Sequence, residues 1–283
     1  MQQATMAESI DVVVDSYYRF LARNEFDGHL KRFKDRLLSD KSAAEAEAAM
    51  FMMLWNEKLD PSVNENLETG GPDFRCSPAQ HQPFLVEVTS LDSESLSEKS
   101  TLPLKIEGPG GQAYGLVTQK LRSTVKGKAS QLGGQADPSV LAITSSYDFA
   151  GLLLDRMAAH NLLISDPWFS VPIGGRRDAI TWQTDLKNAV FCIPGLLDAG
   201  GNQTFRSCSR SVSAILLVTI NSTGMDAVGL LHPDPVRPFD PASFPSIPFI
   251  RFQQWPIIRG RVTTEWIQDS GNAHASFRHK RIR

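Results

Sequence analysis

The sequence predicts an α/β or α+β fold built on a mixed sheet. Three observations carry this expectation. The N-terminal quarter is apolar at helical spacing, Phe84–Leu91 is a β-branched run that follows a short strand across a turn, and the order helix, hairpin, helix, strand, helix runs through the first 160 residues. The chain has 283 residues, 41% of them hydrophobic, enough for a sizeable core and too apolar for a disordered chain. With 21% charged residues and a formal net charge of −2, no global field attracts nucleic acid, so any such binding must be local.

Taken in order, residues 7 to 59 predict helices. Val13, Tyr17, Phe20 and Leu21 recur at helical spacing, and Lys41 to Leu59 is rich in Ala, Glu, Met and Leu, with Gly28 and Ser39–Ser42 as the breaks. From Gly70 the grammar changes. GGP breaks the chain, DFRC suits a strand, SPAQHQP a turn and FLVEVTSL a second strand, which together predict a hairpin. Residues 92 to 111 form a polar connection whose GPGG lacks the G-K-[ST] of a phosphate loop. Gln112–Leu132 is a helix, VLAITSS after Pro138 a strand, and Phe149–His160 a further helix.

Residues 161 to 211 mix Pro, Gly, Trp and polar residues without a period and are expected to be a loop-rich insertion over the sheet. SAILLVTI and AVGLLHP predict two more strands, and Pro233–Pro256 irregular surface structure. The resulting organisation is a single domain. It comprises an N-terminal helical extension (1–42), a core (43–160), the insertion (161–211), and closing strands with a basic tail (212–283). Charge is polarised along it: residues 1–68 carry thirteen acids against eight Lys/Arg, whereas 251–283 carry two against seven, ending in FRHKRIR.

Several chemistries find no support. Cys76, Cys192 and Cys208 are odd in number and form no C-x-x-C, so neither a disulfide framework nor a thiolate zinc site is encoded. The six histidines show no ligand spacing. His232-Pro233-Asp234 closes an apolar strand and reads as a structural cap. The N-terminus lacks an apolar signal core and no run approaches the ~20 apolar residues of a membrane helix, so the expectation is a cytoplasmic protein without a membrane partner.

The informative feature is a pair of carboxylates. Asp73 and Glu87 each lie seven residues from Gln80, so in a symmetric hairpin they face one another, about 5 Å apart at Cβ. Alternation along FLVEVT puts Leu85, Glu87 and Thr89 on one face and Phe84, Val86 and Val88 on the other. Two carboxylates so close in an apolar strand pair repel unless a cation lies between them, and hard oxygen ligands favour Mg²⁺ or Mn²⁺.

Gly71-Pro72-Asp73-Phe74 followed by Glu87-Val88-Thr89 resembles the motif of the PD-(D/E)xK nuclease superfamily, the restriction-endonuclease-like fold, over residues 43 to 146. The resemblance implies an α/β fold with a mixed central sheet flanked by helices, and a metal held by Asp73, Glu87 and the carbonyl of Val88. Thr89 stands where the family usually has lysine. Some members carry that lysine on the next helix, where Lys128 shares an apolar stripe with Leu121, Val125 and Leu132, with Gln131 three residues on. Glu47, on the face of Met50, Phe51 and Leu54, is preferred to Glu45 as the family's helix glutamate, which the resemblance implies would hold the metal through water or bind a second ion. The implied activity is Mg²⁺- or Mn²⁺-dependent phosphodiester hydrolysis of nucleic acid, DNA first. The alternative is an inactive nuclease-like fold that binds nucleic acid or protein, and either reading accommodates a homodimer or a partner protein.

Overall fold

The computed structural model describes residues 10–91, 113–147, 150–165, 168–170, 181–183, 186–221, 224–257 and 262–268. Three helices lead: α1 (Ile10–Arg23), α2 (Asp27–Ser39) and α3 (Lys41–Asn56). α1 buries Val13, Tyr17 and Leu21, a one-sided stripe, while α3 buries residues on most of its surface, from Ala44 to Leu54. Asp40 starts α3 by accepting the Ala43 N–H at 3.1 Å. The break between α1 and α2 falls at Asn24–Phe26, with Glu25 at φ 59°, and Gly28 lies inside the first turn of α2 rather than between helices. Chain reversal there rests on Glu25, not on the glycine.

Strands β1 (Pro61–Val63), β2 (Phe74–Cys76) and β3 (Phe84–Ser90) follow. The first long connection leads through α4 (Ala113–Gln131) to β4 (Ser139–Ser145), which pairs parallel with β3, and a parallel neighbour requires such a crossover. The helix expected at Phe149–His160 divides into α5 (Ala150–Leu153) and α6 (Arg156–Ile164), because Asp155 accepts the Ala158 N–H at 2.8 Å and caps a new start. Further on come β5 (Trp168–Ser170), β6 (Thr181–Gln183), β7 (Cys192–Leu197), β8 (Gln203–Ser207), β9 (Ala214–Asn221), β10 (Gly224–Leu231), β11 (Phe249–Phe252) and β12 (Thr264–Ile267).

Eight strands make one mixed sheet in the order β1-β2-β3-β4-β9-β10-β11-β12. The predicted α/β architecture with a mixed sheet is thus present. Side-chain alternation divides the core. Val140 and Ala142 of β4, with Ala214, Leu216 and Val218 of β9, join the cluster of α1, α2 and α3. Leu141 and Ile143, with Ile215 and Leu217, join the cluster of α4 and α6 on the opposite face.

Two expectations are corrected. The segment 161–211 holds antiparallel ribbons, β5–β6 and β7–β8, and its Val190, Phe191 and Cys192 are core residues packed with α6 and the sheet. Apolar residues without periodicity read as loop because each ribbon strand is only three to six residues long. Likewise, Pro233–Pro256 contains β11 and buries Phe239, Phe244 and Phe249. Pro248 suits this place: it has no N–H to give, but its carbonyl accepts the Gly229 N–H at 2.9 Å.

Gly229 lies beneath the Phe249 ring, and a Cβ there would fall 2.1 Å from a ring carbon. Gly229→Ala is therefore expected to cost about 1–3 kcal/mol through forced displacement of a fully buried ring. Denaturant unfolding checks this, and an unchanged midpoint would show that the ring moves freely.

Candidate active site

The hairpin register is the one the turn symmetry requires. Phe74 pairs with Val86, Arg75 with Leu85 and Cys76 with Phe84, so continuing one residue outward sets Asp73 opposite Glu87. The ladder stops there because Asp73 uses its side chain: Oδ2 accepts the Val88 N–H at 2.7 Å. Its backbone is held from the other side, where the Asp73 carbonyl accepts the Asn64 N–H at 2.9 Å and the Pro72 carbonyl accepts Asn64 Nδ2 at 3.1 Å. Both carboxylates line a cleft of about 540 Å³, together with Arg32, Arg36, Glu47, Glu65, Val88, Thr89 and Lys128.

α4 delivers its cation as its stripe predicts. Leu121, Val125 and Leu132 are buried against the sheet, and Lys128, between them, donates from Nζ to Glu87 Oε1 at 2.5 Å. Lys126 is exposed and does not line the cleft. Gln131 is exposed as well and outside the cleft lining, so the structure does not bring it together with Lys128 and Glu87. Three residues on a helix advance ~300°, and in the last turn of α4 that step carries Gln131 off the sheet side.

α3 contributes Glu47 and not Glu45. The two differ by ~200° around the helix. Glu45 pairs with Lys41 at 3.2 Å outside the lining, while Glu47 lines the cleft and accepts the Tyr17 hydroxyl on Oε1 at 2.8 Å and Arg36 on Oε2 at 2.5 Å. The sequence does not mark Arg32, Arg36, Glu65 or Tyr17 as site residues; Tyr17 reads there only as part of an apolar helical stripe. Arg32 and Arg36 stand four apart in HLKRFKDRLL, a spacing that places both on one helical face and was available as a signal. Glu65 sits between strands and is recognised only by its pair with Arg32.

The electrostatics are those of a site short of positive charge. Burial raises the Asp73 carboxyl well above its ordinary range, with Glu87 and Glu47 adding repulsion and the Val88 N–H opposing. Burial also raises Glu87, opposed by Lys128, and Glu47, opposed by Arg36 and Tyr17. Among the described residues, if all were ionised, five carboxylates in the lining (Asp40, Glu47, Glu65, Asp73 and Glu87) would face three cations (Arg32, Arg36 and Lys128), leaving two negative charges.

Among the described residues, no group of three or more His, Cys, Asp or Glu has the arrangement of a metal cage. That is compatible with Mg²⁺, which commonly takes one or two carboxylates and keeps several waters. The donor set fits it: two opposed hard-oxygen ligands in a lining short of positive charge.

Elsewhere, His232-Pro233-Asp234 behaves as a structural cap. His232 Nδ1 accepts the Asp234 N–H at 3.0 Å, so its Nε2–H donates to the Cys208 carbonyl at 2.8 Å, and burial lowers its pKa to about 4. All three cysteines are free thiols. Gly174-Gly175-Arg176-Arg177 and the tail FRHKRIR lie outside the described residues. Among the described residues, no helix is long and apolar enough to cross a membrane. Comparison of the chain with known families, with curated proteins and with solved structures returns no match.

Proposed function

We propose that this chain is a metal-dependent phosphodiesterase acting on nucleic acid, DNA first, built on a restriction-endonuclease-like core of the PD-(D/E)xK type with its lysine supplied by α4. The observation that carries the reading is convergence: Asp73 immediately before β2, Glu87 in β3 and Lys128 from a helix forty-one residues further on line one open cleft. Asp73, Glu87 and the Val88 carbonyl are the groups that would hold Mg²⁺ or Mn²⁺, which when bound polarises a phosphoryl oxygen and lowers the pKa of its water.

The chain's own groups do the rest. The Val88 N–H fixes the Asp73 carboxylate, and Lys128 opposes the upward shift that burial imposes on Glu87. Facing a bound phosphate, the same ammonium meets the charge that develops on its oxygens. Arg32 and Arg36, which line the same cleft, are phosphate-compatible guanidiniums.

Purified protein with Mg²⁺ or Mn²⁺ is expected to cut single-stranded or duplex DNA and to lose all cutting in chelator. If DNA and RNA stay intact across a range of salt, the enzyme reading is sunk. One observation favours the inactive binding alternative: Thr89 lines the cleft where lysine is usual, and Lys128 is already engaged with Glu87. Calorimetry separates the two, since a dead site shows no Mn²⁺ binding that depends on Asp73.

A further inference from the structure

Tyr17 of α1 is fully buried, with the rings of Phe33, Phe51 and Phe74 at centroid distances of 5.0, 4.9 and 6.0 Å. Phenylalanine would fill such an aromatic niche without a hydroxyl to satisfy, and a buried phenol needs a partner. It finds one in Glu47, so the hydroxyl marks the point where the aromatic core reaches the cleft wall. The other oxygen of the same carboxylate takes Nη1 of Arg36, whose side chain is 24% exposed. A side chain with three free torsions is thereby held at both oxygens by two separate helices. Glu45, two residues away, has only Lys41, which is 69% exposed.

We infer that Tyr17 and Arg36 are positioning residues of the cleft: they fix the Glu47 carboxylate on the wall it shares with Asp73, so that α1 and α2 belong to the reaction apparatus. The inference rests on the proposed function for the reaction served and on the packing for the geometry. Neither Tyr17 nor Arg36 carries a sequence motif for this role, and each acts through Glu47 rather than on substrate.

A double-mutant cycle on the full chain tests it, with Tyr17→Phe and Glu47→Ala made singly and together. The readouts are Mn²⁺ calorimetry, kcat and KM on an oligonucleotide, and thermal melting. Tyr17→Phe keeps the ring and removes one oxygen. The expected result is an approximately tenfold loss in Mn²⁺ affinity or kcat, the scale for groups that orient a metal-side carboxylate, with KM unmoved. Added to Glu47→Ala, the same change is expected to cost nothing more, because its partner is gone. Arg36→Lys, which keeps the charge and loses the planar fork, is expected to fall between wild type and Glu47→Ala.

A purely structural hydroxyl gives a lower melting temperature with kcat and Mn²⁺ affinity unchanged, or equal losses in both backgrounds, and either result overturns the inference. Wild type that binds Mn²⁺ without cutting overturns the proposed reaction alone, and the cycle is then read in affinity. Wild type that neither binds nor cuts overturns both.

Discussion

Asp73→Asn is expected to reduce cleavage to background while making the metal-free protein more stable at pH 8. The two effects share a cause. In the fold, the Asp73 carboxyl is raised above its ordinary value of about 3.9 by burial and then by Glu87 and Glu47. A raised acid binds its proton more tightly folded than unfolded. Its contribution to stability is therefore complete below the unfolded value and lost as pH climbs through the folded one. Above the unfolded value, therefore, the cost of placing a charge at this buried position opposes folding, increasingly so as pH rises.

Asparagine removes that charge and leaves an oxygen for the Val88 N–H. Alanine would orphan that amide at a cost of about 1–3 kcal/mol and hide the gain. The melting temperature of Asp73→Asn minus that of wild type should accordingly be near zero at pH 4 and rise toward pH 8 by an amount on the order of a few °C. Mn²⁺ should close the gap by stabilising wild type alone. If the difference falls with pH, or the variant melts lower at pH 8, Asp73 is a structural hydrogen-bonding residue and not one of two mutually repelling carboxylates.

Lys128→Ala is the other large effect, with an expected loss of roughly 10²–10³ in rate, the scale for one preorganised charge-stabilising group. Mn²⁺ affinity should be nearly unchanged, because the ammonium competes with the ion for Glu87 as much as it supports that carboxylate. Lys126→Ala is the control: it is exposed, outside the cleft lining, and should cost little. Thr89→Lys in the Lys128→Ala background places an ammonium two residues after Glu87, on the same strand face and in the same cleft, and partial recovery is expected. Equal and full activity in Lys126→Ala and Lys128→Ala would remove Lys128 from the mechanism.

What the sequence revealed follows from how local each constraint is. The Asp73–Glu87 register was legible because a hairpin's pairing follows from the length of its turn, and Lys128 because a lone cation interrupts an apolar stripe. Glu47 was separable from Glu45 by the bulk of its helical companions. Tyr17 and Arg36 were not legible as partners of Glu47. Their meeting depends on how α1 and α2 dock on α3, across thirty and eleven residues of chain, and no periodicity encodes a docking angle. Strand β11 was hidden for a different reason: four residues pairing parallel with a strand nearly twenty positions upstream leave no alternation long enough to stand out among prolines.

Strand β4 adds a consequence for how this molecule can be divided. Among the described residues, every one that lines the cleft precedes position 129, in the first half of the chain. Yet all seven residues of β4 are buried, and one side of that strand is completed only by β9, some seventy residues later. Cutting the chain between them would retain the carboxylates and the lysine while converting Ser-Val-Leu-Ala-Ile-Thr-Ser into an uncovered, charge-free edge, the kind of edge that recruits other chains. The first half is thus not a transferable module. A recombinant that borrows the cleft must also borrow β9 and the strands that close beyond it, so the second half, none of whose described residues line the cleft, determines whether the cleft stays in solution.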